Sequence, residues 1–263
     1  MIISHFLFLL LFISSGICQN KEEFKTNEDC HENPSPPFGG TIFIDPNILT
    51  PDDPTFFNGL TYDGKETRKM YDRRVSDWIT IEPYLFPAVY SDSMRIEIQV
   101  NSEFGSVKEA QKQAEKYGEV IGRLTTELRR DVKTVWIHKG MKPFGGGNNN
   151  LLIHTDWSEK HYEEQGILEE TFIHEASHTS LDYYHSKNAE WINAQITDCT
   201  FISDYAEENP QREDIAESYL PYYAIRYKSD RISKELKKKI ENSIPNRIKY
   251  FDNNTSRINE INR

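Results

Sequence analysis

The sequence predicts an α+β fold: a small mixed sheet, then a helix carrying two histidines, then a second helix carrying two glutamates. Three observations lead there. Short apolar or alternating runs occupy 95–100, 134–138 and 151–154, a strand-like spacing. Segments with apolar residues at helical offsets lie between and after them. Residues 174–178 read His-Glu-Ala-Ser-His within such a helical segment.

Taken in order, the chain opens on an apolar run, Phe6 to Ile13, followed by Ser14, Ser15, Gly16 and polar Gln19-Asn20. It is shorter than the roughly 20 residues a membrane span needs and reads as a secretory signal peptide over residues 1–18, which implies a secreted, extracellular protein. No later run is apolar enough to span a membrane. Residues 19–40 are polar, with Pro34, Pro36, Pro37 and Gly39-Gly40, and read as a leader or linker. Residues 41–94 mix apolar runs such as Thr41–Ile44, Trp78–Ile81 and Tyr84–Phe86 with turn residues, and define no architecture by themselves.

From residue 95 to 252 the pattern reads as one catalytic domain. Arg95-Ile-Glu-Ile-Gln-Val100 alternates with period two and predicts a strand. Ser106 can cap a helix running to about Arg130, with Val107, Ala110, Ala114, Tyr117, Val120, Ile121 and Leu124 on its buried side. Thr134–His138 and Leu151–His154 predict two further strands, joined through Phe144-Gly-Gly-Gly-Asn-Asn-Asn150. That loop lacks the Gly-Lys-Ser/Thr ending of a phosphate-binding loop and leads into a strand rather than a helix, so it is expected to be a flexible turn or a rim.

The next helix carries the chemistry. Ile167, Leu168, Phe172, Ile173, Ala176 and Leu181 give it a buried face, and acidic residues crowd its early turns, where the helix dipole favours them. His174 and His178 are four apart, so both imidazoles stand on one face. Two such imidazoles can reach one tetrahedral Zn²⁺, and the adjacent Glu175 can take a proton from a water held there. A third protein ligand is needed. His185 lies seven residues after His178 with Leu181 between, and no Met follows Met141, which departs from the metzincin pattern. Asp182 extends the i, i+4 stripe, but three ligands on one straight helix would span about 12 Å, so Asp182 is expected to support a ligand or end the helix. Downstream, Asn209-Pro210 announces a new helix, with Glu213 and Glu217 four apart on one face. One can ligate zinc while the other accepts from the free nitrogen of a ligating histidine.

This order of motifs resembles the gluzincin-type zinc metallopeptidases, and Glu213-Asp-Ile-Ala-Glu217-Ser-Tyr219 is similar to the catalytic domain of the anthrax lethal factor family over roughly residues 167–225. The resemblance implies a zincin-like fold, Zn²⁺ held by His174, His178 and Glu213, Glu217 behind them, and Glu175 as general base. It also implies that Tyr205 donates to the oxyanion and that the strand at Leu151–His154 forms the sheet edge that pairs with a peptide or protein substrate. His138, His154 and His161 are then structural or rim residues. Pro221 departs from the pattern and should kink the second helix.

The expected activity is that of a secreted zinc endopeptidase. A zinc hydrolase acting on something other than peptides, or a non-catalytic secreted binding module, would share most of these features; the intact Glu175 counts against the module. After the signal, Cys30 and Cys199 remain, an even number that suggests one disulfide in an oxidising compartment. The tail, residues 253–263, begins with Asn253-Asn254-Thr255-Ser256, two overlapping glycosylation sequons. The net charge of −11 argues against nucleic acid as a partner, because no basic stripe could neutralise phosphates. Lys234 to Lys239 reads as a solvated helix face.

Overall fold

The computed structural model describes residues 34–44 and 47–255. The signal segment, Cys30 and residues 256–263 lie outside the described residues. The fold is mixed α+β with a small six-stranded sheet. Its strands are β1 (Phe57–Leu60), β4 (Tyr84–Tyr90), β5 (Arg95–Val100), β6 (Thr134–His138), β8 (Asn150–His154) and β7 (Gly145–Gly147), in that spatial order. β5, β6 and β8 run parallel, whereas β1, β4 and β7 pair antiparallel with their neighbours. A separate hairpin of β2 (Arg68–Asp72) and β3 (Asp77–Ile81) covers the other face of the sheet.

The alternation in β5 decides which face is which. Ile96, Ile98 and Val100 are buried on the helix side, in line with Val135 and Ile137 of β6 and Leu151 and Ile153 of β8. Two helices close that face. They are α1 (Val107–Gly122), capped by Ser106 as expected, and α4 (Leu168–Ser180), which carries the histidines. The opposite face carries Trp136, whose ring meets Trp78 of the hairpin edge-on at 5.3 Å.

Three expectations are corrected here. The helix after Ser106 stops at Gly122 instead of running to Arg130. A side chain at Gly122 would collide with Thr55, and Phe56 donates its N–H to the Gly122 carbonyl at 2.8 Å, so β1 passes too close for the helix to continue. Thr125 then caps a separate turn, α2 (Thr126–Arg129). Residues 41–94 are not a region apart, because β1 and β4 belong to the main sheet and β4 pairs along the length of β5. And the strand at 150–154 is not the sheet edge: β7, made of the three glycines, lies outside it.

The remaining helices assemble around α4. After α3 (Thr155–Trp157) the chain makes a wide turn and enters α4 past Gly166, whose φ of +67° suits glycine. Beyond it come α5 (Asp182–His185), α6 (Ala189–Asp198), α7 (Asp204–Glu208), α8 (Asp214–Tyr227), α9 (Lys234–Ser243) and α10 (Pro245–Asn254). α8 begins a turn later than Asn209-Pro210 suggests. Those residues form the preceding turn, where Glu213 donates its N–H to the Asn209 carbonyl. The helix also continues through Pro221 to Tyr227; the proline removes only the N–H that would have reached the Glu217 carbonyl. The basic run forms α9, where Lys239 lies over the Phe38 ring and donates to the Pro37 carbonyl. Among the described residues no helix is long and apolar enough to cross a membrane. Cys199 is disulfide-bonded. The sequon residues Asn253 and Asn254 are exposed at the end of α10.

One buried ion cluster ties the segment before β1 to the end of α8. Asp53 accepts from Thr50 N–H at 2.8 Å, Lys228 at 2.7 Å and both terminal nitrogens of Arg231 at 2.6 and 2.9 Å. Burial alone would raise the Asp53 pKa, but these donors outweigh it and hold the carboxyl well below the usual carboxylate range. Asp53→Asn should therefore lower unfolding stability at pH 7 by roughly 3 kcal/mol, leaving two cations without their counter-charge. A depressed folded pKa means the unfolded chain takes up the proton first as pH falls. The gap between wild type and variant, read from denaturant unfolding, should be full at neutral pH and shrink below about pH 4.

Candidate metal centre

Atoms able to ligate a metal meet where α4 crosses the start of α8. His178 Nε2 lies 3.1 Å from His174 Nε2 and 3.1 Å from Glu213 Oε2, and His174 Nε2 lies 3.6 Å from the same oxygen. Donor atoms set tetrahedrally about 2.1 Å from one ion stand about 3.4 Å apart. His174, His178 and Glu213 therefore form a group that could hold a metal ion, and all three line one cleft.

The surroundings bear on how a cation could be held there. His178 Nδ1 is 2.8 Å from Asp182 Oδ2, and an ionised carboxylate only accepts, so Nδ1 carries the proton and Nε2 presents its lone pair. His174 Nδ1 faces Glu217 Oε1 at 3.3 Å, within ion-pair range though not aligned as a hydrogen bond. Two imidazole Nε2 atoms and a carboxylate oxygen thus face one another in a buried place. Like acceptors at that spacing repel unless a cation sits between them. A proton can serve that purpose too: burial opposes charge on His178, yet Asp182 and Glu213 outweigh it and raise the imidazole to about 10. Glu213 is likewise held below the ordinary range: burial pushes it up, and the two histidines more than reverse this.

The two glutamates of the i, i+4 pair have different partners. Glu213, at the N-cap of α8, reaches the histidines, accepts from the Tyr205 hydroxyl at 3.1 Å and pairs with the exposed Arg212 at 3.1 Å. Glu217, fully buried, accepts through Oε2 from Ser203 at 2.6 Å and from the Ile42 N–H at 2.9 Å. Asp214 fixes the first turn of α8 against Arg247, 3.2 Å away, with both side chains fully buried. Asp182 stands where sequence spacing placed it, behind His178 and at the first residue of α5.

A cleft of about 410 Å³ opens over this group. Glu175 lines it beside the histidines, and its carboxylate has no hydrogen-bond partner among the described residues. Tyr205 also lines it, half-buried, with its hydroxyl on Glu213 rather than free. His138 and His154 lie elsewhere, stacked at 5.4 Å within the sheet. His161 packs on Trp157 at 4.1 Å. None of these three joins the ligand group.

Two contributors were not legible in the sequence. The segment Thr41–Ile44, read as an apolar run of uncertain role, is an extended strap. The N–H groups of Ile42 and Ile44 go to Glu217 and Glu170, while Thr41 and Phe43 line the cleft. The second is Gly146. A Cβ there would collide with the Glu175 carbonyl oxygen, so β7 lies directly on α4. Three consecutive glycines were the available signal, but only the packing shows what they make room for.

Compared with protein-family models, curated proteins and solved structures, the chain matches none.

Gly146→Ala should cost about 1–3 kcal/mol through forced separation of β7 from α4. Gly145→Ala meets only the Arg73 guanidinium, at 2.6 Å, which can move aside, and should cost much less. Thermal melts of the two variants side by side test the ordering.

Proposed function

We propose that the protein is a secreted zinc-dependent endopeptidase of zincin-like architecture, similar in its site to the gluzincin-type peptidases and the anthrax lethal factor family. The observation that carries this reading is the convergence of His174 Nε2, His178 Nε2 and Glu213 Oε2 on one point, with the unpartnered carboxylate of Glu175 next to it. Two nitrogens and one oxygen with an open fourth position suit Zn²⁺ in a hydrolytic site.

When bound, zinc supplies Lewis-acid polarisation of the scissile carbonyl and brings the pKa of a water to near 7. Glu175 takes the proton from the attacking water and passes it to the leaving amine, which needs a carboxylate not committed to any other partner. Tyr205 can release Glu213 and donate to the oxyanion, a role commonly worth several kcal/mol. Asp182 and Glu217 hold the two imidazoles in the orientation that aims Nε2 at the site. A peptide is favoured over other zinc-hydrolase substrates because β7, the terminal strand of the sheet, lies beside the cleft. Backbone pairing there would align an extended chain without demanding a sequence.

Purified protein should contain about one zinc per chain, lost in His174→Ala and His178→Ala. Glu175→Gln should keep fold and zinc while peptide hydrolysis falls by orders of magnitude; metal analysis together with a peptide-library digest reads both. A variant that loses the carboxylate yet still cleaves at the parental rate would sink the mechanism.

The carboxylates should rank by distance from the metal. Glu213→Ala should weaken zinc binding most. Glu217→Ala and Asp182→Ala, which only orient ligands, should each cost about 10–100-fold. Chelator competition at a single pH makes the comparison, because protons compete for the same atoms.

A further inference from the structure

A second cavity, of about 270 Å³, lies on the far side of β7 from the metal group. Tyr71, Trp78, Trp136, Leu152 and Arg73 line it, with the glycines of β7 along one wall. Its rings are already arranged edge-on: Trp78 meets Trp136 at 5.3 Å and Tyr71 at 5.7 Å. Trp78 is 46% exposed, a large aromatic left open to solvent.

The sheet register connects this cavity to the cleft. Leu152 pairs with Trp136 on one side and Gly145 on the other, so all three belong to the face under the hairpin. Leu151 pairs with Val135 and Gly146, on the face against α4. Successive residues of a strand point to opposite faces. A peptide added to the outer edge of β7 would turn one set of side chains toward α4 and the metal, and the alternate set toward the hairpin. Because β7 carries no side chains, it is the movable Arg73 guanidinium, 2.6 Å from where a Gly145 Cβ would stand, that a residue of the alternate set would meet as it leans in against Trp78 and Trp136.

We infer that this cavity is a specificity subsite that takes one aromatic side chain of the peptide substrate, at a position facing away from α4. The inference rests on the peptidase reading above. Three aromatic edges and faces favour a ring over an aliphatic group. The lining contains a guanidinium and no carboxylate, which disfavours lysine or arginine.

A positional-scanning peptide library digested by the zinc-loaded protein tests it. At one position the wild type should prefer Phe, Tyr or Trp over Ala by about tenfold or more, and over Lys. Trp78→Ala should bring the aromatic-to-alanine ratio at that position close to one, while Trp78→Phe, which keeps a ring, should preserve most of it. An unchanged ratio in Trp78→Ala, or no aromatic preference in the wild type, overturns the subsite and leaves the peptidase reading standing. Failure of the zinc-loaded wild type to cut any peptide overturns both.

Discussion

The repulsion among acceptors at the crossing of α4 and α8 is the constraint around which this molecule is built. Glu213, Glu217, Asp214 and Glu170 are all buried on, or at the start of, the two crossing helices. Gathering carboxylates in a low-dielectric place is costly unless each finds a donor or a cation. Each of them does, from a different part of the chain. Glu217 takes Ser203 and the Ile42 N–H, Asp214 takes Arg247, Glu170 takes the Ile44 N–H, and Glu213 takes the histidines and the Tyr205 hydroxyl. Apolar packing holds the arrangement closed. Phe172, Ile173, Ala176 and Leu181 are fully buried around α4, and the larger ones each contribute about 1.5–3 kcal/mol.

That accounting gives the N-terminal strap a structural task. Backbone donors at Ile42 and Ile44 are aimed at two carboxylates of the site. Upstream, Phe38 accepts from the Asp204 N–H, Gly40 donates to the Asp204 carboxylate, and Thr200 donates to the Pro34 carbonyl. Residues 34–44 are therefore anchored along the site, and Thr41 and Phe43 form part of the wall of the cleft. A backbone N–H is a donor that no side-chain substitution removes, apart from proline, which makes it a durable partner for a buried glutamate.

The glycine strand solves a separate geometric problem. An edge strand close to α4 must lie almost in contact with that helix, and any side chain on its inner face would push the two apart. Gly146 removes the obstruction on the helix side, and Gly145 leaves space on the hairpin side that Arg73 roofs. The α4 backbone on one face and the Arg73 guanidinium on the other fill the places where side chains would stand, and the metal cleft and the aromatic cavity share this rung of backbone.

Local spacing carried much of the fold and most of the ligand group in the sequence. Period-two alternation marked β5, short apolar runs marked β6 and β8, a serine cap marked α1, and the i, i+4 spacing put His174 and His178 on one face, because these follow from the geometry of a single strand or helix. The Glu213–Glu217 pair was legible as one ligand and one supporting residue, since four residues along a helix always share a face. Which of them reaches the histidines depends on how α8 crosses α4, a packing angle that no local spacing encodes. Gly122 ending α1, the glycines forming the edge outside β8, the Ile42 N–H reaching Glu217 and Trp78 reaching Trp136 all bring together residues distant in the chain. Sequence by itself determined the chemistry available on each element. Tertiary structure decided which elements touch, because close approach of backbones and the satisfaction of buried charges are settled only when the whole core packs.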